Sequence, residues 1–268
     1  MVAPLKLIAD LGPRIVSITC LALLLASCQK STPPPPKKPY FNQFSGANTL
    51  GGKPHCLKAP QRWWTFRSAL GTGNTDVWNP QGGNYRLCLS VSGKTLQQYW
   101  KFSRASRMVQ AFPHIDLPWS LPLNWEQSSE SPITLSWQNH CNDGCRDDMG
   151  FDFWVSSSPH SAPFRVGDGM EVMILPDYRT FPPPASYYSG KISISGCGWN
   201  VYRFPVGDGW SLLQVISPPG INQLSLSPVS VLRSLAQNGW IPLNDRFVTV
   251  ANLGTEIVAG SGAVKIQE

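Results

Sequence analysis

The sequence predicts an antiparallel β-sandwich with one helix. Short stretches that alternate or run apolar follow one another along the chain, and Gly, Pro, Ser and Asn separate them at short intervals. The part of the chain after the first 49 residues, about 220 residues, is within the usual size of one all-β domain. Only one stretch has the start and stop signals of a helix.

Ten stretches are predicted as strands because their apolar residues alternate or form short runs. They are Tyr85–Val91, Gln98–Phe102, Met108–Phe112, Ile133–Gln138, Phe151–Ser156, Gly169–Leu175, Lys191–Ser195, Trp199–Pro205, Trp210–Ser217 and Arg246–Asn252. The predicted helix is Val229–Gln237, capped by Ser227 or Ser230 and ended by Asn238-Gly239.

One predicted strand, Gly169–Leu175, carries a carboxylate in the middle of an apolar run. Because side chains alternate along a strand, Glu171 and Met173 share one face, and Val172 and Ile174 share the other. Burying a carboxylate among apolar groups is costly. An isolated case of this kind would indicate a partly solvated edge residue.

Two further acids have similar surroundings. Asp152 lies in Phe151-Asp152-Phe153-Trp154, and Glu256 ends the segment Asn252-Leu253-Gly254-Thr255-Glu256. Only 14% of the residues are charged, so three acids in apolar or β-rich surroundings stand out. Together they indicate a cleft that carries carboxylate chemistry.

The first 27 residues have the order of a secretory signal, with basic residues before the apolar run Ile15–Ala26. The segment Leu25-Ala26-Ser27-Cys28 resembles the bacterial lipobox, which implies lipidation of Cys28 as the mature N-terminus. The alternative is an ordinary cleaved signal. Gln29 resembles the residue found in lipoproteins sorted to an outer membrane. We therefore expect an exported protein that is lipid-anchored to the bacterial membrane or cell surface.

Residues 28–49 contain the proline block Pro33–Pro36 and three lysines, which predicts an extended tether. Without that tether and the signal, 17 basic and 15 acidic residues remain. The domain at 50–268 therefore has no strong basic character, and nucleic acid is a poor candidate partner. We expect a monomer.

Five of the seven cysteines lie outside the signal and its lipobox, and an exported protein should oxidise them where geometry permits. Cys56 and Cys88 lie in the first strands and are predicted to form one bridge. Cys141 and Cys145 could close a small loop and leave Cys197 single, or Cys197 could take one of that pair. A zinc site with His140 is a further alternative, although its spacing is not Cys-x2-Cys and the compartment favours disulfides.

Eleven tryptophans occur, and many of them must fill the core. Trp63, Trp64, Trp78 and Trp100, however, stand among polar and Gly-rich residues, where an exposed ring is plausible. Flat rings that line a groove suit the C–H faces of sugar rings. The sequence therefore leaves two roles open for these four side chains, sugar stacking and core packing.

These features together resemble glycoside hydrolase family 12, over most of residues 56–268. The strongest likenesses are Glu171-Val172-Met173-Ile174 to the family's Glu-Leu/Ile-Met-Ile strand, Phe151-Asp152-Phe153 to Tyr-Asp-Leu-Phe, and Gly254-Thr255-Glu256 with Gly260-Ser261-Gly262 to the terminal Gly-Thr-Glu-Pro-Phe-x-Gly segment. The order of Cys56, Trp63-x-Thr65-Phe66, Trp78 and Cys88 and the segment Val109–Pro113 are also similar to the family's pattern.

The resemblance implies a β-jelly roll of two antiparallel sheets with a concave cleft. It implies a retaining, endo-acting hydrolase of β-1,4-glucans that needs no metal or cofactor, with Glu171 as nucleophile, Glu256 as acid/base and Asp152 supporting the nucleophile. The residues that it places at the substrate are Trp63, Asp76, Trp78, Met173 and Asp148.

Three departures from the family pattern leave the preferred substrate open. Leu175-Pro176 replaces the usual Trp, Ile257-Val258 replaces Pro-Phe, and Asp76 stands where the family has Asn. Cellulose-type glucan, mixed-linkage glucan and xyloglucan are all candidates. Two functions of other classes also stay open, a non-catalytic glycan-binding lipoprotein and a purely structural lipoprotein.

Overall fold

The computed structural model describes residues 54–129, 131–142, 144–160, 169–205 and 211–268. The predictions of the signal peptide, of lipidation at Cys28 and of the tether lie outside these residues. The described residues form two β-sheets and one α-helix, which confirms the predicted sandwich. Within these ranges no helix is long and apolar enough to cross a membrane.

The elements follow one another in the order β1 (His55–Lys58), β2 (Thr65–Ser68), β3 (Gly71–Asn74), β4 (Tyr85–Ser92), β5 (Thr95–Phe102), β6 (His114–Asp116), β7 (Leu123–Asn124), β8 (Ile133–Cys141), β9 (Arg146–Ser156), β10 (Met170–Tyr178), β11 (Tyr188–Ile194), β12 (Cys197–Pro205), β13 (Ser211–Ile216), β14 (Gln223–Leu226), α1 (Pro228–Gln237), β15 (Phe247–Ala259) and β16 (Ser261–Gln267). Nine of the ten predicted strands correspond to strands of this list.

The strands divide into a six-stranded and a ten-stranded sheet. The smaller sheet has the order β1-β4-β5-β16-β8-β14. The larger has the order β11-β12-β13-β10-β9-β15-β6-β3-β2, and β7 pairs with β15 beside this path. The described pairs are antiparallel except for β10 with β13, which run parallel.

The core lies between the two sheets, and period-two patterns place apolar side chains there. On β9 and β10, Phe151, Phe153, Val172 and Ile174 are all 0% exposed. Burying one such side chain contributes about 1.5–3 kcal/mol. The intervening residues of both strands point to the opposite face of the larger sheet, which we call the site face.

Helix α1 ends at Gln237 as predicted and begins one residue earlier than predicted, at Pro228. The Ser227 hydroxyl accepts a hydrogen bond from the Ser230 backbone N–H at 3.2 Å, so Ser227 is the N-cap. Gly239 follows the last turn with φ +74°, a conformation that glycine adopts without strain. Val231 and Leu235 are buried on the side of the helix that packs on the core.

One prediction about local structure is wrong, and one alternative that the sequence left open is decided. The segment Met108–Phe112 is not a strand, because only Ala111 forms isolated bridges, and the Gln110 amide turns inward to donate to the Val258 carbonyl at 2.7 Å. Trp100 is not exposed. Its place on β5 points between the sheets, and its ring packs so closely on Gly262 that a Cβ there would lie 2.5 Å from a ring carbon.

The disulfides confirm one prediction and decide between the alternatives for another. Cys56 and Cys88 are bonded at directly opposite positions of β1 and β4. Cys141 is bonded to Cys145 at the β8–β9 turn, which rules out zinc binding by these two as thiolates. Because Cys141 and Cys145 are bonded to each other, Cys197 is not the partner of either of them.

Candidate active site

Three adjacent strands carry the three predicted catalytic acids. Glu171 lies on β10, Asp152 on β9 and Glu256 on β15, and these strands stand in the order β10-β9-β15. All three acids alternate with buried core residues and therefore share the site face. The alternation predicted for the Glu171 strand is confirmed.

Asp152 and Glu171 are hydrogen-bonded to each other through their carboxyl groups. Asp152 lies opposite Met173 in the β9–β10 register, so it is a diagonal neighbour of Glu171. A carboxylate can only accept, so a hydrogen bond between two carboxyl groups requires one proton between them. The pair therefore acts as one unit that shares a proton.

Burial raises the pKa of all three acids. It raises the pKa of Asp152 to about 7. Burial, followed by the charges of Asp152 and Glu256, raises the pKa of Glu171 well above its usual range. The pKa of Glu256 is also raised well above its usual range, by burial and then by the charges of Asp148 and Asp152. Both glutamates nevertheless keep part of their side chains exposed, as a group that reaches a substrate must.

Asp148 lies directly opposite Glu256 in the β9–β15 register and is 3% exposed. Its carboxylate accepts hydrogen bonds from the Thr180 hydroxyl at 2.8 Å and from the backbone N–H groups of Arg179 and Thr180 at 2.9 and 3.2 Å. The prediction that Asp148 contacts substrate stays a prediction. The contacts present in the structure belong to the turn after β10.

A row of seven side chains crosses the site face at matching register positions. From the β11 edge inward it consists of Tyr188, Tyr202, Gln214, Met173, Asp152, Asn252 and Asp116. The Gln214 amide lies 3.9 Å from the Met173 sulfur. Asn252, with its amide oriented to donate, reaches an Asp116 oxygen at 3.1 Å. The row is aromatic at one end and polar at the other.

An apolar patch covers the site face beside Glu171. It consists of Met173, Leu175 and Ile216, with Tyr178, Tyr202 and Leu212 packed against them. Leu175 stands where the family pattern has Trp, so the aromatic surface here comes from the two tyrosines. Flat apolar surfaces of this kind suit the faces of sugar rings.

Asp76 and two exposed tryptophans lie toward the β6 side of the sheet. An Asp76 oxygen is 3.4 Å from His114 Nδ1, and that nitrogen is 2.8 Å from the Phe112 carbonyl. Burial raises the pKa of Asp76, and the charge of His114 opposes that shift. Trp63 and Trp78 are 59% and 41% exposed, so of the two roles left open for them core packing does not apply. Their contact with sugar stays a prediction.

Sequence reasoning did not find several polar and aromatic residues of the site face. They are His114, Asp116, Tyr178, Tyr202, Gln214 and Asn252. Asn252 could have been found, because it precedes Glu256 by four residues on one strand and so shares its face. Tyr202 and Gln214 could not, because their places depend on the parallel pairing of β10 with β13.

Comparison with known proteins agrees with this arrangement. The model of glycosyl hydrolase family 12 matches residues 74–268. The chain belongs to glycosyl hydrolase family 12. Endoglucanase S of Pectobacterium parmentieri is 22% identical over 280 residues, which cover 99% of this chain and 95% of that protein. The family 12 protein described here is accordingly a glycoside hydrolase of the endoglucanase type.

Solved structures of family 12 enzymes share the fold. Endoglucanase 3 of Trichoderma harzianum superposes with a TM-score of 0.68 at 18% identity, over 80% of this chain and 95% of that one. A family 12 xyloglucanase from Bacillus licheniformis gives a TM-score of 0.66 at 19% identity, over 80% and 97% of the two chains. These likenesses confirm the expected jelly-roll sandwich.

Proposed function

We propose that this family 12 enzyme cleaves internal β-1,4-glucosidic bonds of a β-glucan and retains the anomeric configuration. The observation that carries the proposal is the hydrogen-bonded Asp152–Glu171 pair on the same sheet face as Glu256. Retaining hydrolysis needs two carboxyl groups with different roles, a nucleophile and an acid/base, about 5–5.5 Å apart. These three residues can supply both roles.

In the first step Glu171 attacks the anomeric carbon as a carboxylate. The bond from that carbon to the glycosidic oxygen breaks, and Glu256 gives its proton to the departing oxygen. The proton of the Asp152–Glu171 pair must then reside on Asp152, which donates its hydrogen bond to the attacking carboxylate. Burial raises the pKa of both carboxyl groups, so the pair holds one proton toward neutral pH, and the attack uses the state in which Asp152 carries that proton.

In the second step Glu256, now ionised, takes a proton from water. The water oxygen attacks the anomeric carbon and releases Glu171. Two inversions at one carbon give net retention. The raised pKa of Glu256 supports the first half of this cycle, because a general acid must hold its proton at the working pH.

The substrate is a β-1,4-linked glucan chain in this proposal. The aromatic and apolar end of the site face offers stacking surfaces, and the end with Asn252 and Asp116 offers hydrogen-bonding groups for sugar hydroxyls. The names of the related endoglucanases and xyloglucanase support a glucan backbone. Leu175 and Asp76 depart from the family pattern beside this surface, so the preference among cellulose-type glucan, mixed-linkage glucan and xyloglucan needs a direct assay.

We also propose that the enzyme is exported as a monomer and anchored by a lipid on Cys28, with residues 28–49 as a tether. The sequence of the lipobox supports this. Cys28→Ser should release the protein from the membrane fraction or leave an uncleaved precursor. A mutant that fractionates and migrates like the wild type would show that Cys28 carries no lipid, because tether lysines alone bind membranes too weakly to replace two acyl chains.

The test is hydrolysis of carboxymethylcellulose, mixed-linkage glucan and xyloglucan, measured by reducing-sugar release together with viscosity. An endo-acting enzyme lowers the viscosity well before many reducing ends appear. Glu171→Gln is the matched inactive control. Binding without sugar release by the wild type would favour the glycan-binding alternative, and neither binding nor release would favour a structural lipoprotein.

Proton NMR of the first product tests the stereochemistry separately. Retention predicts a β-anomer at the first moment of release. An initial α-anomer would show a single displacement, for which the two carboxyl groups stand about 6.5–9.5 Å apart.

A further inference from the structure

Strand β9 carries a second acid on the site face that the reaction as described does not use. Asp148 and Asp152 are four residues apart and share that face. Asp152 is bonded to Glu171, and Asp148 lies opposite Glu256. Each catalytic glutamate therefore has an aspartate of β9 beside it.

The contacts of Asp148 favour ionisation of its carboxyl group. Three donors, one hydroxyl and two backbone N–H groups, point at its two oxygens within 3.2 Å. Such donors stabilise the charged form. Directly opposite residues of an antiparallel pair have Cβ atoms about 4.5–5.5 Å apart, so this charge is held close to Glu256.

The donors come from a turn that has further supports. The Tyr178 hydroxyl donates to the Phe181 carbonyl at 2.6 Å. The Arg146 guanidinium carbon lies 4.0 Å from the centre of the Phe181 ring. Asp148 is thus one of three residues of β9 that tie the 178–181 turn to this strand, together with Arg146 and the Asp147 carbonyl, which accepts from the Arg179 backbone N–H at 3.0 Å.

We propose that Asp148 is a positioning residue for Glu256, because its buried carboxyl group clamps the 178–181 turn and places beside Glu256 an acid that ionises before it. This inference rests on the proposed function in taking Glu256 as the general acid. A nearby anion favours the protonated state of a carboxyl group, which is the state that a general acid needs before glycosidic cleavage.

The other titratable groups around Glu256 do not replace Asp148 in this role. Asp152 also faces it from β9, and Glu171 and Tyr178 face it from β10. Asp152 is hydrogen-bonded to Glu171 and holds the proton of the pair when Glu171 attacks, so it is uncharged at the step that needs Glu256 protonated. On the other side β15 pairs with β6, where His114 lies opposite Gly254. The His114 ring is already in contact with Asp76 and the Phe112 carbonyl.

The directions of the pKa values agree with the geometry. After burial, the charge of Asp148 is the largest cause that raises the pKa of Glu256. Burial also raises the pKa of Asp148, to about 7, and the charge of the neighbouring Asp147 acts in the same direction. The Thr180 hydroxyl and the two backbone donors oppose that rise. No hydrogen-bond donor lowers the pKa of Glu256 in this way. Asp148 therefore loses its proton before Glu256 does.

A carbon-13 NMR titration of side-chain carboxyl carbons tests the inference without using activity. The full chain has only five glutamates, so glutamate labelling gives few signals, and Glu256→Gln assigns the one of interest. Asp148→Asn should lower the titration midpoint of Glu256 by about one pH unit. Thr180→Val, which removes one donor to Asp148, should shift it in the same direction by less.

Asp147→Asn is the matched control, because Asp147 is the adjacent buried acid but lies on the opposite face of β9. It should leave the Glu256 midpoint in place. An unchanged midpoint in folded Asp148→Asn, or a shift of equal size in Asp147→Asn, would overturn the inference. If Asp148→Asn does not fold, an unchanged midpoint in Thr180→Val would overturn it.

Kinetics separate this role from general damage to the fold. On β-glucan the alkaline limb of kcat/KM should move to lower pH in Asp148→Asn. On a dinitrophenyl cellobioside, whose leaving group needs no proton, formation of the glycosyl-enzyme should be unaffected, whereas a damaged fold would slow both substrates. Wild-type protein that hydrolyses no β-glucan would refute the proposed function, and the NMR titration would still decide whether Asp148 controls Glu256.

Discussion

Asp147 provides a test of how strongly the folded protein perturbs its buried acids. Its side chain is 0% exposed on the core side of β9, where the Asn139 amide donates to it. Burial raises its pKa from 3.8 to about 6, the Asn139 hydrogen bond opposes that rise, and the charge of Asp177 adds to it. We expect Asp147→Asn to remove this perturbation while leaving the site face intact.

The magnitude follows from linkage between protonation and folding. A carboxyl group whose pKa is higher in the folded state contributes stability that is fully present below its unfolded pKa and is lost as the pH rises through its folded pKa. For Asp147 that window runs from about 4 to about 6. At about 1.36 kcal/mol for each pKa unit, the free energy of unfolding should fall by about 3 kcal/mol across it.

The assay is urea unfolding at pH 4 and pH 7.5 with the disulfides intact, for wild type and Asp147→Asn. Other buried acids also make the wild type less stable at the higher pH, so the informative quantity is the difference between the two proteins. The loss of stability between the two pH values should be smaller in the variant by up to about 3 kcal/mol. Equal losses in both proteins would refute the argument that burial perturbs Asp147.

Three further predictions concern the catalytic roles, the groove and the first disulfide. Glu171→Ala should be inactive even on activated aryl cellobiosides. Glu256→Ala should still form the glycosyl-enzyme from these substrates and then stall, and added azide should release a β-glycosyl azide. If the two variants showed the opposite behaviour, the assigned roles would be reversed. Trp78→Ala should weaken glucan binding in affinity electrophoresis with little change in melting temperature, whereas a stability loss of about 3–5 kcal/mol with unchanged affinity would place Trp78 in the core. Removing the Cys56–Cys88 bond, which spans 32 residues, by a double Ala substitution should lower the free energy of unfolding by about 3.7 kcal/mol, and an unchanged urea midpoint would contradict this.

The sequence was sufficient to predict features that depend on a single strand or helix. The alternation around Glu171 predicted its face, and the Ser227 and Gly239 signals bounded the helix. The sequence left the outcome open where it depends on pairing between distant segments. Trp100 has polar neighbours in sequence, yet the register of β5 with β16 places its ring against Gly262 in the interior.

The same limit applies to the candidate site. The three acids could be recognised because each lies in a distinctive local segment. The surface around them could not, since the seven-residue row exists only through six successive strand pairings. The environment of Asp148 likewise depends on the turn after β10, whose Thr180 lies 32 residues away along the chain.

Strand β9 shows how a chain with few charges concentrates them where the chemistry occurs. Its residues alternate between core positions such as Phe151 and site-face acids such as Asp148 and Asp152, so one strand anchors the sandwich and supplies a neighbour to each catalytic glutamate. Burial of Asp148 and Asp152 raises both pKa values to about 7, so the folded protein loses stability as the pH rises toward that value. Cleavage, in contrast, requires the Asp152–Glu171 pair to have lost one proton while Glu256 retains its own. Stability and activity therefore respond oppositely to pH on the acidic side of neutrality, and the working range must lie where the pair holds a single proton.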